Sequence, residues 1–208
     1  MIVMKHVLFL VGRDEMKIKT VDEKNNLFIV EDIIDWKLIH EFNREDINSY
    51  SWEEQEGWWD SQRRKLLYNE NSALGRIRSS LSDTPKQIND ILKTNFKSIA
   101  MNCWYDLEGF ECGDHIDNPK VKSVLHFYIG EASPDLGTVF YNAEEEDVED
   151  INEDQRWHLK KCNLPIRYNF KFIQNTGYIM FNNRTQAHGV TGTISAKDKR
   201  VSCYCYLD

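Results

Sequence analysis

The chain has no long apolar run. The most hydrophobic part of its N-terminus, residues 7–11 of "MIVMKHVLFLVGRDE", is short, meets Arg13, Asp14 and Glu15 almost at once and offers no small-residue cleavage site. It reads as a strand, which argues against a signal peptide or a membrane-crossing helix and points to a cytoplasmic location. Positive charge is not in excess either. Lys and Arg number 26 against 34 Asp and Glu, a formal net charge of −8, so no global basic field exists to draw in nucleic acid. Cysteine is sparse, and the five that occur (103, 112, 162, 203, 205) make an odd count without zinc-type C-x-x-C spacing. That pattern excludes a disulfide scaffold and suits reduced thiols in a core.

Against these absences stands a chain of 208 residues that is 41% hydrophobic and 12% aromatic, enough to bury a sizeable core in one domain. We read residues 1–96 as a mixed strand and helix support region and 97–208 as an all-β core. In "NNLFIVEDIIDWKLIHEFN" a strand leads into a helix with Ile34, Leu38 and Phe42 four apart on one face. "SQRRKLLY" reads as helical. "SDTPKQINDILKTNF" has Thr84 as an N-cap, Pro85 at the first helical position and Gln87 to complete a capping box. Beyond residue 97 the period becomes two in "KSIAMNCWY", "VKSVLHFYI", "LGTVFYN", "YNFKFI", "GYIMFN", "HGVTGTI" and "RVSCYCYL". With a strand at His115 this gives about eight strands, the count of a jelly roll. The expected fold class is mainly β with flanking helices. The stretch "EEEDVEDINED" (144–154), with eight acidic and no basic residues, has no period and reads as a solvated loop spanning 143–155.

Chemistry concentrates in "CGDHIDNPKVKS". On a strand, residues i and i+2 face the same way, so His115 and Asp117 can converge on a metal ion. A third ligand is available in "FNNRTQAHGVTG", where His188 opens a later strand. Two imidazoles and one carboxylate on one face of a metal leave coordination positions open, the arrangement of non-haem Fe(II) oxygenases. In "KRVSCYCYLD", Arg200 and Ser202 share another strand face. A guanidinium inside a sandwich is costly unless paired, and a carboxylate held bidentately beside a hydroxyl would satisfy it. Metal site and carboxylate anchor together match a ligand with an α-keto acid at one end and a carboxylate at the other.

The ordered set His115-x-Asp117, His188, Arg200-x-Ser202 resembles the Fe(II)/2-oxoglutarate-dependent dioxygenase superfamily, whose fold is a double-stranded β-helix. Within it the chain most resembles the prolyl hydroxylases, through "WYDLEGFECGDHIDNP", "LGTVFYN" and "TGYIMFNN…HGV", over roughly residues 84–208. The resemblance implies that His115, Asp117 and His188 bind iron and that Arg200 pairs with the distal carboxylate of 2-oxoglutarate. It also implies Ser202 as a helper and Tyr105 and Tyr128 as cosubstrate contacts. Val124, His126 and Tyr128 share one strand parity, and His126 is read as structural rather than as a ligand. The implied cosubstrates are Fe(II), 2-oxoglutarate and dioxygen, and the retained Asp117 favours hydroxylation over halogenation. Gly130 departs from the polar residue that follows this strand in the family.

Substrate identity stays open between a prolyl residue in a protein or peptide and a free amino acid or other small metabolite. An oxidative nucleic-acid demethylase is disfavoured because Tyr206 stands where that family has a second arginine, and a non-catalytic metal-binding module is the remaining class. Trp52, Trp58 and Trp59 in "SWEEQEGWWD" either pack onto the sheet, the commoner fate of such clusters, or wall a substrate site that moves about Gly57. The acidic stretch is either a solubilising insertion or a flap that attracts a basic peptide.

Overall fold

The computed structural model describes residues 16–54, 62–151, 156–160, 163–190 and 192–208. The strand expected over 7–11 lies outside them, as do Gly57, Trp58, Trp59 and Cys162. The chain opens with strands β1 (Lys17–Asp22) and β2 (Leu27–Glu31), then helix α1 (Trp36–Arg44). Strands β3 (Trp52–Glu54) and β4 (Arg63–Leu66) and helices α2 (Ala73–Ser80) and α3 (Thr84–Leu92) complete the support region. There follow β5 (Ile99–Asp106), β6 (Cys112–His115), β7 (Ser123–Tyr128), β8 (Thr138–Tyr141), β9 (Val148–Ile151) and β10 (Arg156–Leu159). The chain ends with β11 (Ile166–Phe170), β12 (Thr176–Phe181), β13 (His188–Val190) and β14 (Arg200–Leu207).

Two antiparallel sheets face each other. The larger runs β1-β2-β12-β7-β14-β5-β4-β3 and the smaller β11-β8-β13-β6. All eight strands expected from the period-two segments are present, four in each sheet, which is the double-stranded β-helix arrangement. The support region is hydrogen-bonded into the same large sheet, with β2 beside β12 and β4 beside β5.

Strand alternation sorts the core. On one face of the large sheet, Leu125, Phe127, Cys103, Cys203 and Cys205 pack against Ile39 and Phe42 of α1, Leu74 and Ile77 of α2 and Ile88 of α3. On the other, Val124, Tyr178 and Met180 meet Phe140 and Phe170 of the small sheet. Every residue of β7 is buried, as a strand covered on both faces must be. Val124, His126 and Tyr128 therefore face the space between the sheets, where the site lies.

Three local expectations fail for identifiable reasons. "SQRRKLLY" is not helical: Arg63–Leu66 form β4, paired residue for residue with β5 from Arg63↔Asp106 to Leu66↔Cys103. Four residues carry too little period to decide, and pairing at the sheet edge wins. Helix α3 has Asp83, not Thr84, at its N-cap, with no side-chain capping bond, and Thr84 is buried as the first helical residue. Its start is set by the tight join to α2, where the Thr84 amide donates to Leu81 O at 3.0 Å. The acidic stretch is not a plain loop either. Its β9 pairs with β10, and Val148, Trp157 and Leu159 pack on Ile116, Tyr141, Leu164 and Ala187. Of the tryptophan cluster, Trp52 lies at the surface under the Arg64 guanidinium, 4.1 Å from its ring centre.

Gly130 is required by a close approach. A Cβ there would fall 2.0 Å from Lys199 O and 2.6 Å from Val201 N, against the backbone that flanks Arg200. Gly130→Ala should therefore cost about 1–3 kcal/mol through displaced backbone, read as a lower urea midpoint at unchanged m-value.

Candidate metal and diacid site

His188 stands at the first residue of β13, directly opposite His115 at the last residue of β6. The ring centres are 4.4 Å apart, and Asp117 follows just past the end of β6. Asp117 Oδ1 is 3.9 Å from His115 Nε2 and Oδ2 is 3.7 Å from His188 Nε2. One ligand atom from each of the three residues lies within 4.8 Å of the others, a set that could hold a single metal ion.

The ring orientations are held by backbone carbonyls. His115 Nδ1 lies 2.9 Å from Gly113 O, and His188 Nδ1 lies 2.9 Å from Gln186 O. Each Nδ1 is thereby engaged, and both Nε2 atoms face the Asp117 carboxylate. Phe140 stacks on His188 at 5.4 Å. Tyr204 donates its phenol hydrogen to Asp117 Oδ2 at 2.7 Å, fixing the carboxylate. Asn182 holds the Asn-Pro turn in place by donating to Asp117 O, Asn118 O and Val121 O at 2.9–3.3 Å.

The two imidazoles differ in basicity. Burial is the largest influence on both. At His188 it prevails over the Asp117 carboxylate and pulls the pKa down to about 4. At His115 burial is outweighed by neighbouring Cys112 and Asp117 and by the Gly113 carbonyl, and the pKa rises to about 9.

Arg200 is fully buried. Its Nε donates to Leu136 O at 2.7 Å and its Nη1 to the carboxylate of Asp106, which is equally buried. The other Asp106 oxygen lies 2.8 Å from Arg63 Nε. Arg200 Nη2 and the hydroxyl of Ser202, both buried, have no hydrogen-bond partner among the described residues. Arg200, the three candidate metal ligands, His126 and Trp104 line one cavity of about 260 Å³, of a size for a small metabolite. The N/N/O donor set suits Fe(II), and a guanidinium nitrogen left unpaired in the same cavity suits a carboxylate, so the residues present fit both groups that the sequence implies.

Two tyrosines are not where the resemblance puts them. Tyr105 packs against the helix-side core, while Trp104, next in the chain and on the opposite face of β5, lines the cavity. The ladder dictates this, because Asp106 and Trp104 sit opposite Arg200 and Ser202. Tyr128 does face inward, but its hydroxyl is used locally, donating to Thr138 Oγ1 at 2.9 Å and accepting from the Thr138 amide at 3.1 Å. Sequence reasoning missed Asp106, Arg63 and Tyr204. Strand parity could have found Tyr204, which is four residues after Arg200, but nothing in the order of residues announces β4.

No helix among the described residues is long and apolar enough to cross a membrane. No family model matches the sequence, and neither does any curated protein. Solved structures do match. A prolyl-4-hydroxylase from Pseudomonas putida is similar with a TM-score of 0.54 at 11% identity, over 88% of this chain and 92% of its own. HygX from Streptomyces hygroscopicus, with nickel, 2-oxoglutarate and hygromycin B bound, gives 0.56 at 10% identity over 88% and 83%. A prolyl hydroxylase from Trichoplax adhaerens, in complex with a hypoxia inducible factor peptide fragment, gives 0.54 at 11% over 88% and 84%. The chain has the double-stranded β-helix fold of the 2-oxoglutarate/Fe(II) oxygenases.

Proposed function

We propose that the protein is an Fe(II)- and 2-oxoglutarate-dependent dioxygenase that hydroxylates an unactivated C–H bond, with a prolyl residue of a protein or peptide as its substrate. One observation carries this reading: three convergent metal-ligating side chains share a small cavity with a buried guanidinium nitrogen that has no hydrogen-bond partner among the described residues. His115, Asp117 and His188 would hold the iron, and Arg200 with Ser202 would take the distal carboxylate of 2-oxoglutarate. Bound together, the two groups supply the activation of dioxygen, with 2-oxoglutarate leaving as succinate and carbon dioxide.

The chain's own residues bind, orient and shield. The Gly113 and Gln186 carbonyls hold the imidazoles, Tyr204 holds the carboxylate, and Asp106 keeps the Arg200 fork in register. Phe140, Tyr178 and Trp104 exclude water around them. The prolyl assignment is supported by the H-x-D-N-P motif and by the two prolyl hydroxylases among the similar structures. HygX, which holds hygromycin B, favours the second reading, a small-molecule substrate. Tyr206, where a nucleic-acid demethylase would carry arginine, lines the cavity and counts against that class.

Anaerobic addition of Fe(II) and 2-oxoglutarate should give a weak visible charge-transfer band, and under air succinate should form. Asp117→Ala and His188→Ala should abolish both, and normal turnover in either variant would refute the metal assignment. Arg200→Lys, which keeps the buried positive charge but loses the fork, should raise the 2-oxoglutarate Kd about a hundredfold with little change in metal affinity. Mass spectrometry for the gain of one oxygen across peptides and metabolites decides the substrate class.

The His115 pKa generates a separate prediction. Below about pH 9 the metal-free imidazole holds a proton that a metal must displace, whereas His188 is already neutral above about pH 4. Mn(II) affinity measured anaerobically should rise about tenfold per pH unit between neutrality and pH 9 and then level off. A flat profile over that range would exclude it.

A further inference from the structure

His126 lies on β7, next to the Arg200 strand in the large sheet, is buried, and lines the cavity. Its Nδ1 is 2.7 Å from the hydroxyl of Tyr178, and its Nε2, also buried, has no hydrogen-bond partner among the described residues. A phenol hydroxyl that donates to Nδ1 makes Nδ1 the acceptor and puts the imidazole hydrogen on Nε2, facing the cavity. Behind it, the Tyr128 hydroxyl is held by Thr138, accepting from its amide and donating to its Oγ1.

Three buried polar atoms on one face of the large sheet have no hydrogen-bond partner among the described residues: Arg200 Nη2, the Ser202 hydroxyl and His126 Nε2. Ser202 is opposite Tyr128 on the neighbouring strand and Tyr204 is opposite His126, so His126 and Ser202 are diagonal neighbours on one face. Leaving buried donors unpaired is costly, and a carboxylate, with two oxygens and several lone pairs, can satisfy all three at once. Burial, the largest influence, together with the cations Arg200 and Arg63, holds the His126 pKa well below the ordinary value, so it donates as a neutral ring.

We propose that His126 is a cosubstrate-binding residue, whose Nε2–H joins Arg200 and Ser202 on the distal carboxylate of the dicarboxylate cosubstrate, with its tautomer set by the Tyr178 hydroxyl at Nδ1. This rests on the dioxygenase reading above. It assigns to His126 the contact that the resemblance gives to Tyr128, whose hydroxyl here is taken by Thr138.

The test is equilibrium binding of 2-oxoglutarate to the full-length protein loaded with Fe(II) under argon, followed by the visible band, with Mn(II) affinity measured alongside. His126→Leu should raise the 2-oxoglutarate Kd about tenfold or more and leave Mn(II) affinity within about twofold. His126→Gln, whose amide reaches the position of Nε2, should recover most of the loss. Tyr178→Phe, which frees the tautomer, should weaken binding by about threefold and serves if His126→Leu does not fold. 2-Oxopentanoate keeps the keto acid but lacks the distal carboxylate, so wild type and His126→Leu should bind it alike. Unchanged 2-oxoglutarate affinity in His126→Leu, or an equal loss for both ligands, overturns the assignment of His126. Absence of 2-oxoglutarate binding by the wild type would instead overturn the dioxygenase reading, and this inference with it.

Discussion

A guanidinium with no exposure to solvent is the constraint around which the inner face of the large sheet is arranged. Desolvating Arg200 costs several kcal/mol unless its charge is met by hydrogen-bonded anions. Asp106 meets it, directly across the β14–β5 ladder, and Leu136 O takes the Nε hydrogen. Asp106 is itself shared with Arg63, whose Nε lies 2.8 Å from its other oxygen. Arg200 Nη2 has no hydrogen-bond partner among the described residues, and such an open buried donor is suited to one more anion.

The metal end follows a different economy of bonds. Each of its three side chains is held from behind by main chain or by a phenol: the Gly113 and Gln186 carbonyls take the Nδ1 sides and the Tyr204 hydroxyl binds the carboxylate. Gln186 is in turn anchored by Arg167 at 2.6 Å and by donation to Asn25 O, which ties the His188 loop to the turn between β1 and β2. Preorganisation of this kind spends the ordering cost on folding and leaves little to be spent at loading.

Much of this was legible from period and parity. The eight core strands announce themselves by alternation, and His115, Asp117, His188, Arg200 and Ser202 by sharing faces. What the order of residues concealed was set by partners distant in the chain. Arg63–Leu66 is a strand because β5 offers an edge, which four residues of "RRKL" cannot reveal. Tyr105 and Trp104 exchange roles because the ladder with β14 fixes which of two adjacent aromatics faces in. His126 looks like an ordinary core histidine until the donors and acceptors behind it are counted. The acidic segment hides a strand because Val148, Trp157 and Leu159 are too widely spaced among charges to show a period.

The placement of β4 at the edge of the large sheet bears on how the molecule divides. Arg63 reaches Asp106 from the N-terminal portion and covers Trp104 and Phe110 at 4.7 and 4.9 Å. The wall of the cavity is thus a joint product of both halves of the polypeptide, although the motif-bearing residues all lie in the second. Trimming the chain to its jelly roll would strip a cation from the carboxylate that pairs with Arg200 and uncover Trp104 and Phe110. Residues preceding the β-rich core are masonry of the binding chamber rather than a porch in front of it.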